Sequence, residues 1–160
     1  EWSEAAKAGT RAWCYYDNEL ENGKKYGKLY HWYSVNDPRG LAPEGWHVPT
    51  DKEWQTLIDF LGKADEAGVK MKNTGGWSAN RHPNKDGNGT NESGFSALPG
   101  GFRNDVKGYC NGINYKGNWW SSTEHHTDSA WKRAMKCSSE SIKRSSSDKE
   151  NGFSVRCIKD

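Results

Sequence analysis

The chain has 160 residues, a length that fits one domain around one core. Only 32% of the residues are hydrophobic, and the sequence has neither a run of ~20 apolar residues nor sustained heptads, which excludes a transmembrane helix and a coiled coil. Lys+Arg 23 against Asp+Glu 21 leaves a net charge of +2, too balanced for a dedicated nucleic-acid binder.

Nine Trp, seven Tyr and 18 Gly predict a folded, turn-rich domain built around rings, because aromatics bury large areas and are scarce in disordered segments. In chain order, residues 13–16 read as a first strand. Leu29, Trp32, Tyr33 and Asn36 form a stripe between Gly27 and Asp37-Pro38, which predicts a helix near 28–36. Thr50-Asp51-Lys52-Glu53 is a capping box, and Trp54, Leu57, Ile58 and Leu61 follow on one face before Gly62. That predicts a helix over 51–61. The Gly- and Asn-rich stretch 75–93 has no periodicity and reads as an irregular loop. Short strands are predicted at 95–98, 101–103, 119–122, 131–136 and 153–159. In the last of these, Phe153, Val155 and Cys157 alternate with Ser154 and Arg156. The expected fold class is α+β, two helices flanking a small twisted antiparallel sheet with long irregular loops.

No order of Ser, His and Asp, no paired carboxylates and no phosphate-cradling Gly loop stands out. His47, between Trp46 and Val48 just ahead of a helix cap, reads as a buried, hydrogen-bonded side chain and not a catalytic base. Adjacent Trp119 and Trp120 must point to opposite faces of a strand, which favours core packing over a sugar-stacking platform. The run Asp86-Gly87-Asn88-Gly89-Thr90-Asn91-Glu92 offers alternating oxygens that could hold a structural calcium. It lacks the twelfth-position Glu of a calcium loop, and turn formation is the plainer reading. No other cofactor is expected. Cys14, Cys110, Cys137 and Cys157 lack zinc-site spacing and suggest an oxidising compartment. Four cysteines allow three pairings, and their spacing does not choose.

Four segments come in one order: Gly45-Trp46-His47-Val48-Pro49-Thr50-Asp51-Lys52-Glu53-Trp54, then Gly94-Phe95-Ser96-Ala97-Leu98-Pro99-Gly100-Gly101-Phe102-Arg103, then Trp119-Trp120-Ser121-Ser122-Thr123-Glu124, then Gly152-Phe153-Ser154-Val155-Arg156-Cys157. Together they resemble the Fibrobacter succinogenes major paralogous domain, found in secreted and lipoprotein-borne proteins of Bacteroidetes and Fibrobacteres. The resemblance implies a C-type-lectin-like fold, in the branch that holds formylglycine-generating enzyme and the variable proteins of diversity-generating retroelements. It also implies an extracellular or cell-surface location, secreted or lipoprotein-anchored.

By this resemblance residues 11–160 form the domain and 1–10 are the remnant of a preceding segment, since the family's usual leading strand has no match there. Family members often carry Cys where this chain has Ala42, which leaves Cys14 to join Cys157, with Cys110 and Cys137 as a second bridge. The copper-binding cysteine pair of formylglycine-generating enzyme has no counterpart, because Cys137 and Cys157 lie far apart, so no catalytic residues are assigned. Family anchors match Trp131, Arg133, Ile142, Arg144, Lys149, Gly152 and Phe153, and the positions between them resemble the exchangeable ones of retroelement-diversified proteins. The expected contact surface is therefore His125, His126, Asp128, Lys132, Lys136, Ser138, Ser139, Ser141, Lys143, Ser145, Ser147 and Asp148. The expected function is non-enzymatic recognition or adhesion towards a protein or glycan ligand, without nucleic-acid binding or membrane insertion. The alternative is a surface-filament subunit that self-assembles through strand donation.

Overall fold

The computed structural model describes residues 1–79, 86–105 and 108–160. In chain order the elements are α1 (Trp2–Lys7), β1 (Trp13–Cys14), α2 (Leu20–Tyr26), β2 (Leu29–Tyr30), α3 (Trp32–Val35), β3 (Trp46–His47), α4 (Asp51–Phe60), α5 (Ala64–Met71), β4 (Gly100–Arg103), β5 (Cys110–Ile113), β6 (Lys116–His126), β7 (Ser129–Lys136), β8 (Ile142–Asp148) and β9 (Ile158–Lys159). The fold is mixed α+β around a five-stranded sheet of order β5-β4-β6-β7-β8. All its neighbours are antiparallel except β4 and β6, which meet in parallel at Gly101 and Gly117. The short pairs β1-β2 and β3-β9 stand apart from it.

Helix α4 forms where the capping box predicts. Thr50 Oγ1 accepts the Glu53 N–H at 3.2 Å, and Glu53 Oε2 accepts the Thr50 N–H at 2.8 Å, satisfying two amide donors at the helix start. Thr50→Ala should cost about 1 kcal/mol in urea unfolding, with Thr50→Ser near wild type; equal midpoints for the wild type and the Ala variant would deny the cap any contribution.

The opposite directions of Trp119 and Trp120 organise the core. Trp119 packs with Trp54, Ile58, Met71, Met135 and Ile142 beneath α4 and α5. Trp120 packs on the other sheet face with Trp32, Ala130 and Phe153. Both rings are buried, as the alternation predicts. A third cluster joins Trp2, Cys14, Tyr16 and Leu29. Gly68 lets α5 touch the β7–β8 turn, since a Cβ there would sit 2.4 Å from the Glu140 carbonyl oxygen. The Val69 N–H donates to that same oxygen at 2.8 Å.

Several expectations need correction. Five α-helices are present among the described residues instead of two, and the helix expected near 28–36 splits into β2 and the single turn α3. Within residues 1–10, α1 buries Trp2 and Ala6, and Trp2 packs with Cys14, Tyr16 and Leu29. The strand expected over 153–159 exists only as bridges at Phe153 and Ser154 and as β9, because Phe153 pairs with Tyr30 while Ser154 pairs with Trp119. In the predicted loop the described parts form no helix or strand, and residues 80–85 lie outside the described residues.

The expected disulfides are also absent, and all four cysteines are free. Cys110, not Cys157, packs against the cluster that holds Cys14. Cys137 packs against the α4–α5 core, and Cys157 lines a shallow apolar groove beside Trp54, Leu57 and Phe95. His47 is hydrogen-bonded but not buried: its ring bridges Asp160 at 2.6 Å and Glu53 at 2.9 Å with 39% of the side chain exposed. Both carboxylates, Asp160 foremost, raise its pKa.

Candidate ligand-binding groove

Sheet register decides which side chains share a face. Lys132 lies opposite Ser145 and Trp120, Ala134 opposite Lys143 and Asn118, and Ala130 opposite Ser147. Alternation then turns the odd residues of β7, Arg133 and Met135, towards the helices and the even ones to the other face. Arg133 and Met135 are 0% and 1% exposed. The opposite face forms a groove of about 490 Å³.

The groove gathers Lys132, Lys136, Lys143, Ser145, Ser147 and Asp148 from the expected contact surface. Phe102 from β4 and Phe153 form an aromatic part of its wall, their ring centroids 6.2 Å apart. Lys132 crosses it, its Nζ donating to Asn118 Oδ1 at 2.9 Å and standing 4.9 Å over the Phe153 ring. Burial, with help from the nearby Lys116 and Lys136 ammonium groups, pushes the Lys132 pKa down to about 8. Asn118 is 5% exposed, and its Nδ2 has no hydrogen-bond partner among the described residues. Lys116, Lys132, Lys136 and Lys143 meet no carboxylate within ion-pair distance among the described residues. Asp105 and Asp148 mark another part of the wall, and desolvation together with the Asp105 carboxyl raises the Asp148 pKa.

The other expected contact residues go elsewhere. At the β6–β7 hairpin, the His125 ring packs on His126 at 3.9 Å and Trp131 at 4.2 Å, and its Nδ1 lies 3.4 Å from Ser129 Oγ. Asp128 is exposed there, and its carbonyl accepts the Lys149 N–H. In the β7–β8 turn, Ser139 and Ser141 share a hydrogen bond of 2.7 Å, and exposed Ser138 stands beside them. Buried Lys72 pins that turn, its Nζ donating to the Lys136 and Ser139 carbonyls at 2.7 Å each. The twelve residues thus form three groups and not one surface.

Sequence reasoning missed Phe102, Lys116 and Asn118, because they come from β4 and β6, outside the stretch 125–151 that carried the expectation. The β-period of 116–120 held the signal for Asn118, which points to the side of Trp120. Of the expected anchors, Arg133, Ile142, Lys149, Gly152 and Phe153 are buried and Trp131 is half-buried. Arg144 is half-exposed; its Nε donates to Asp51 Oδ2 at 2.9 Å and its guanidinium lies 3.3 Å over Trp131. In the acidic loop, Asp86 Oδ1 accepts from the backbone and side-chain amides of Asn88, and Asn88 Oδ1 accepts from the Trp77 N–H. These side-chain oxygens are engaged in holding the turn. No cluster of three or more His, Cys, Asp or Glu suited to a metal occurs among the described residues. No helix among them is long and apolar enough to cross a membrane.

Neither a curated protein nor a solved structure matches the chain. The profile of the Fibrobacter succinogenes major domain matches residues 2–159, nearly the whole chain, from the buried Trp2 of α1 to the end of β9. The chain therefore belongs to the Fibrobacter succinogenes major domain family.

Proposed function

We propose that this domain is a non-enzymatic recognition module of C-type-lectin-like architecture, acting outside the cell, whose sheet groove binds a carboxylate-bearing protein or glycan ligand. One observation carries the reading: buried Asn118, whose amide is unpaired, and half-buried Lys132 line a groove whose lysines have no carboxylate partner among the described residues. Such donors are costly to leave unanswered in a desolvated place, and an acidic ligand supplies the missing acceptors. The Phe102–Phe153 edge adds apolar contact beside the charged groups. Ser145 and Ser147 offer adaptable hydrogen bonds at the opening.

Hexaglutamate is the probe for this groove. Lys132→Gln combined with Lys143→Gln should weaken its binding at least about tenfold by calorimetry, and added salt should weaken wild-type binding. Lys132 loses its proton as pH rises through about 8, so affinity should fall between pH 7 and pH 9. Lys132→Arg, which stays charged, should flatten that fall. Undiminished binding by the double Gln variant would refute the groove as the site.

A further inference from the structure

A second concavity, of about 900 Å³, opens beside α1 and β1 and reaches the end of β4. Its floor holds a stack in which the Arg103 guanidinium lies 4.7 Å from the centre of the Trp2 ring. Trp2 in turn meets His31 edge-on, with centroids 3.8 Å apart. Arg103 Nε and Trp2 Nε1 are both buried and have no hydrogen-bond partner among the described residues, although Trp2 is 7% exposed. At the rim Lys28 Nζ stands 3.6 Å from the centre of the Trp13 indole, which is 51% exposed. Arg11 adds a third cation to the wall, 3.9 Å from Asp37. Neither Lys28 nor Arg103 has a carboxylate within ion-pair distance among the described residues, and Glu1 is the acid in the lining.

The chemistry of this lining is one-sided. An indole N–H, a guanidinium and an ammonium all donate and cannot answer one another, so buried donors of this kind are expected to find acceptors on another molecule. A neutral sugar would leave the charges unanswered. A small inorganic anion would leave uncontacted the part of the half-exposed Trp13 indole that Lys28 does not cover, whereas the C–H face of a pyranose matches an indole. We propose that this cavity is a second binding site, separate from the sheet groove, for an acidic sugar unit of a glycan, with its anionic group on Arg103 and Lys28 and its ring against Trp13. The site does not depend on the groove, because the two share no lining residue.

The test uses tetragalacturonate and a heparin tetrasaccharide as carboxylate and sulfate probes, maltotetraose as the neutral control, and Trp fluorescence with calorimetry as readouts. An acidic tetrasaccharide should bind and maltotetraose should not, and the ratio of the two acidic affinities tells carboxylate from sulfate. Trp13→Ala and Lys28→Gln should each weaken that binding about tenfold, with Lys28→Arg near wild type. In the groove variant Lys132→Gln/Lys143→Gln, where this cavity alone is left to hold it, the tetrasaccharide should still bind and the further change Trp13→Ala should weaken that binding about tenfold, while Trp13→Ala alone should bind hexaglutamate unchanged. Equal affinity for maltotetraose, no binding of either acid, or a loss confined to the groove variant overturns the proposal.

Discussion

Replacing Asp51 with alanine should destabilise the fold by about 3–5 kcal/mol, the cost of leaving a buried charge without its partner. Arg133 is 0% exposed, and its Nη1 donates to Asp51 Oδ1 at 2.5 Å while Nη2 donates to the Asp51 carbonyl at 3.2 Å. Burial lowers the Arg133 pKa against the opposing pull of Asp51, so the guanidinium sits in the core only because that carboxylate answers it. Asp51 holds Arg144 as well, which makes one carboxylate the joint between α4, β7 and β8. For a domain of this length the loss should appear as a fall in Tm of roughly 10 °C, at about 2–4 °C per kcal/mol. Removing a favourable charge from the first turn of α4 would by itself cost only about 0.3–1 kcal/mol, so the size of the loss separates the two causes. The double variant Asp51→Ala/Arg133→Met should recover much of the stability, because the orphaned charge is gone and an unbranched apolar chain takes its place. A loss below about 1 kcal/mol for Asp51→Ala, or no recovery in the double variant, would show that the pair does not hold the strands to the helix.

The same joint bears on binding. Alternation on β7 puts Arg133 on one face and Lys132 on the other, so the ion pair that fixes the strand from the helix side also fixes the ammonium on the groove side. Lys72 does the equivalent at the β7–β8 turn, where it joins the end of α5 to the carbonyls of Lys136 and Ser139. Groove geometry is thus set by buried cations that lie outside its lining. The groove lysines, by contrast, have no ion-pair partner among the described residues. Rigid anchoring behind and unanswered charge in front is the arrangement expected of a preorganised binding face.

How much of this was legible in the sequence follows from how local each signal is. Helix α4 was readable because its cap, stripe and terminating Gly62 all lie within a dozen residues or so. Helices α1, α2 and α5 were not, since each is short, and α1 and α5 gain their stability from tertiary packing, as with Trp2 under Arg103 or Gly68 against Glu140. Two-residue strands such as β1 and β9 are below the length at which alternation can be seen. Alternation did place Lys132, Lys136, Lys143, Ser145 and Ser147 on one face, but it could not supply Asp148, which has the opposite parity, or Phe102, which reaches the groove through the order of strands in the sheet. The cysteine pairing failed for a related reason. Nothing in the spacing of Cys14 shows that β5 brings Cys110 to its cluster while Cys157 runs beside Trp54.

Acid should destabilise the protein between pH 6.5 and pH 4 by about 3 kcal/mol through His31 alone. His31 is 0% exposed and packed edge-on against Trp2, and neither of its ring nitrogens makes a close hydrogen bond among the described residues. Burial, aided by the positive charge of Arg103 and only partly offset by the Thr10 backbone, lowers its pKa from 6.5 to about 4. Between those values the unfolded chain holds a proton that the native state refuses. Stability therefore rises as pH climbs from 4 to 6.5 and is lost as pH falls through the same window. His47 cannot produce this loss: its folded pKa is raised, so its contribution is complete below 6.5 and disappears only at higher pH. Glu53 acts lower, since its depressed pKa preserves its contribution down to about 4.5 and surrenders it below. His31→Phe keeps a ring against Trp2 and removes the proton site, so its unfolding free energy should be nearly flat where the wild type falls. Parallel pH profiles for the two proteins would place the acid lability in some other group.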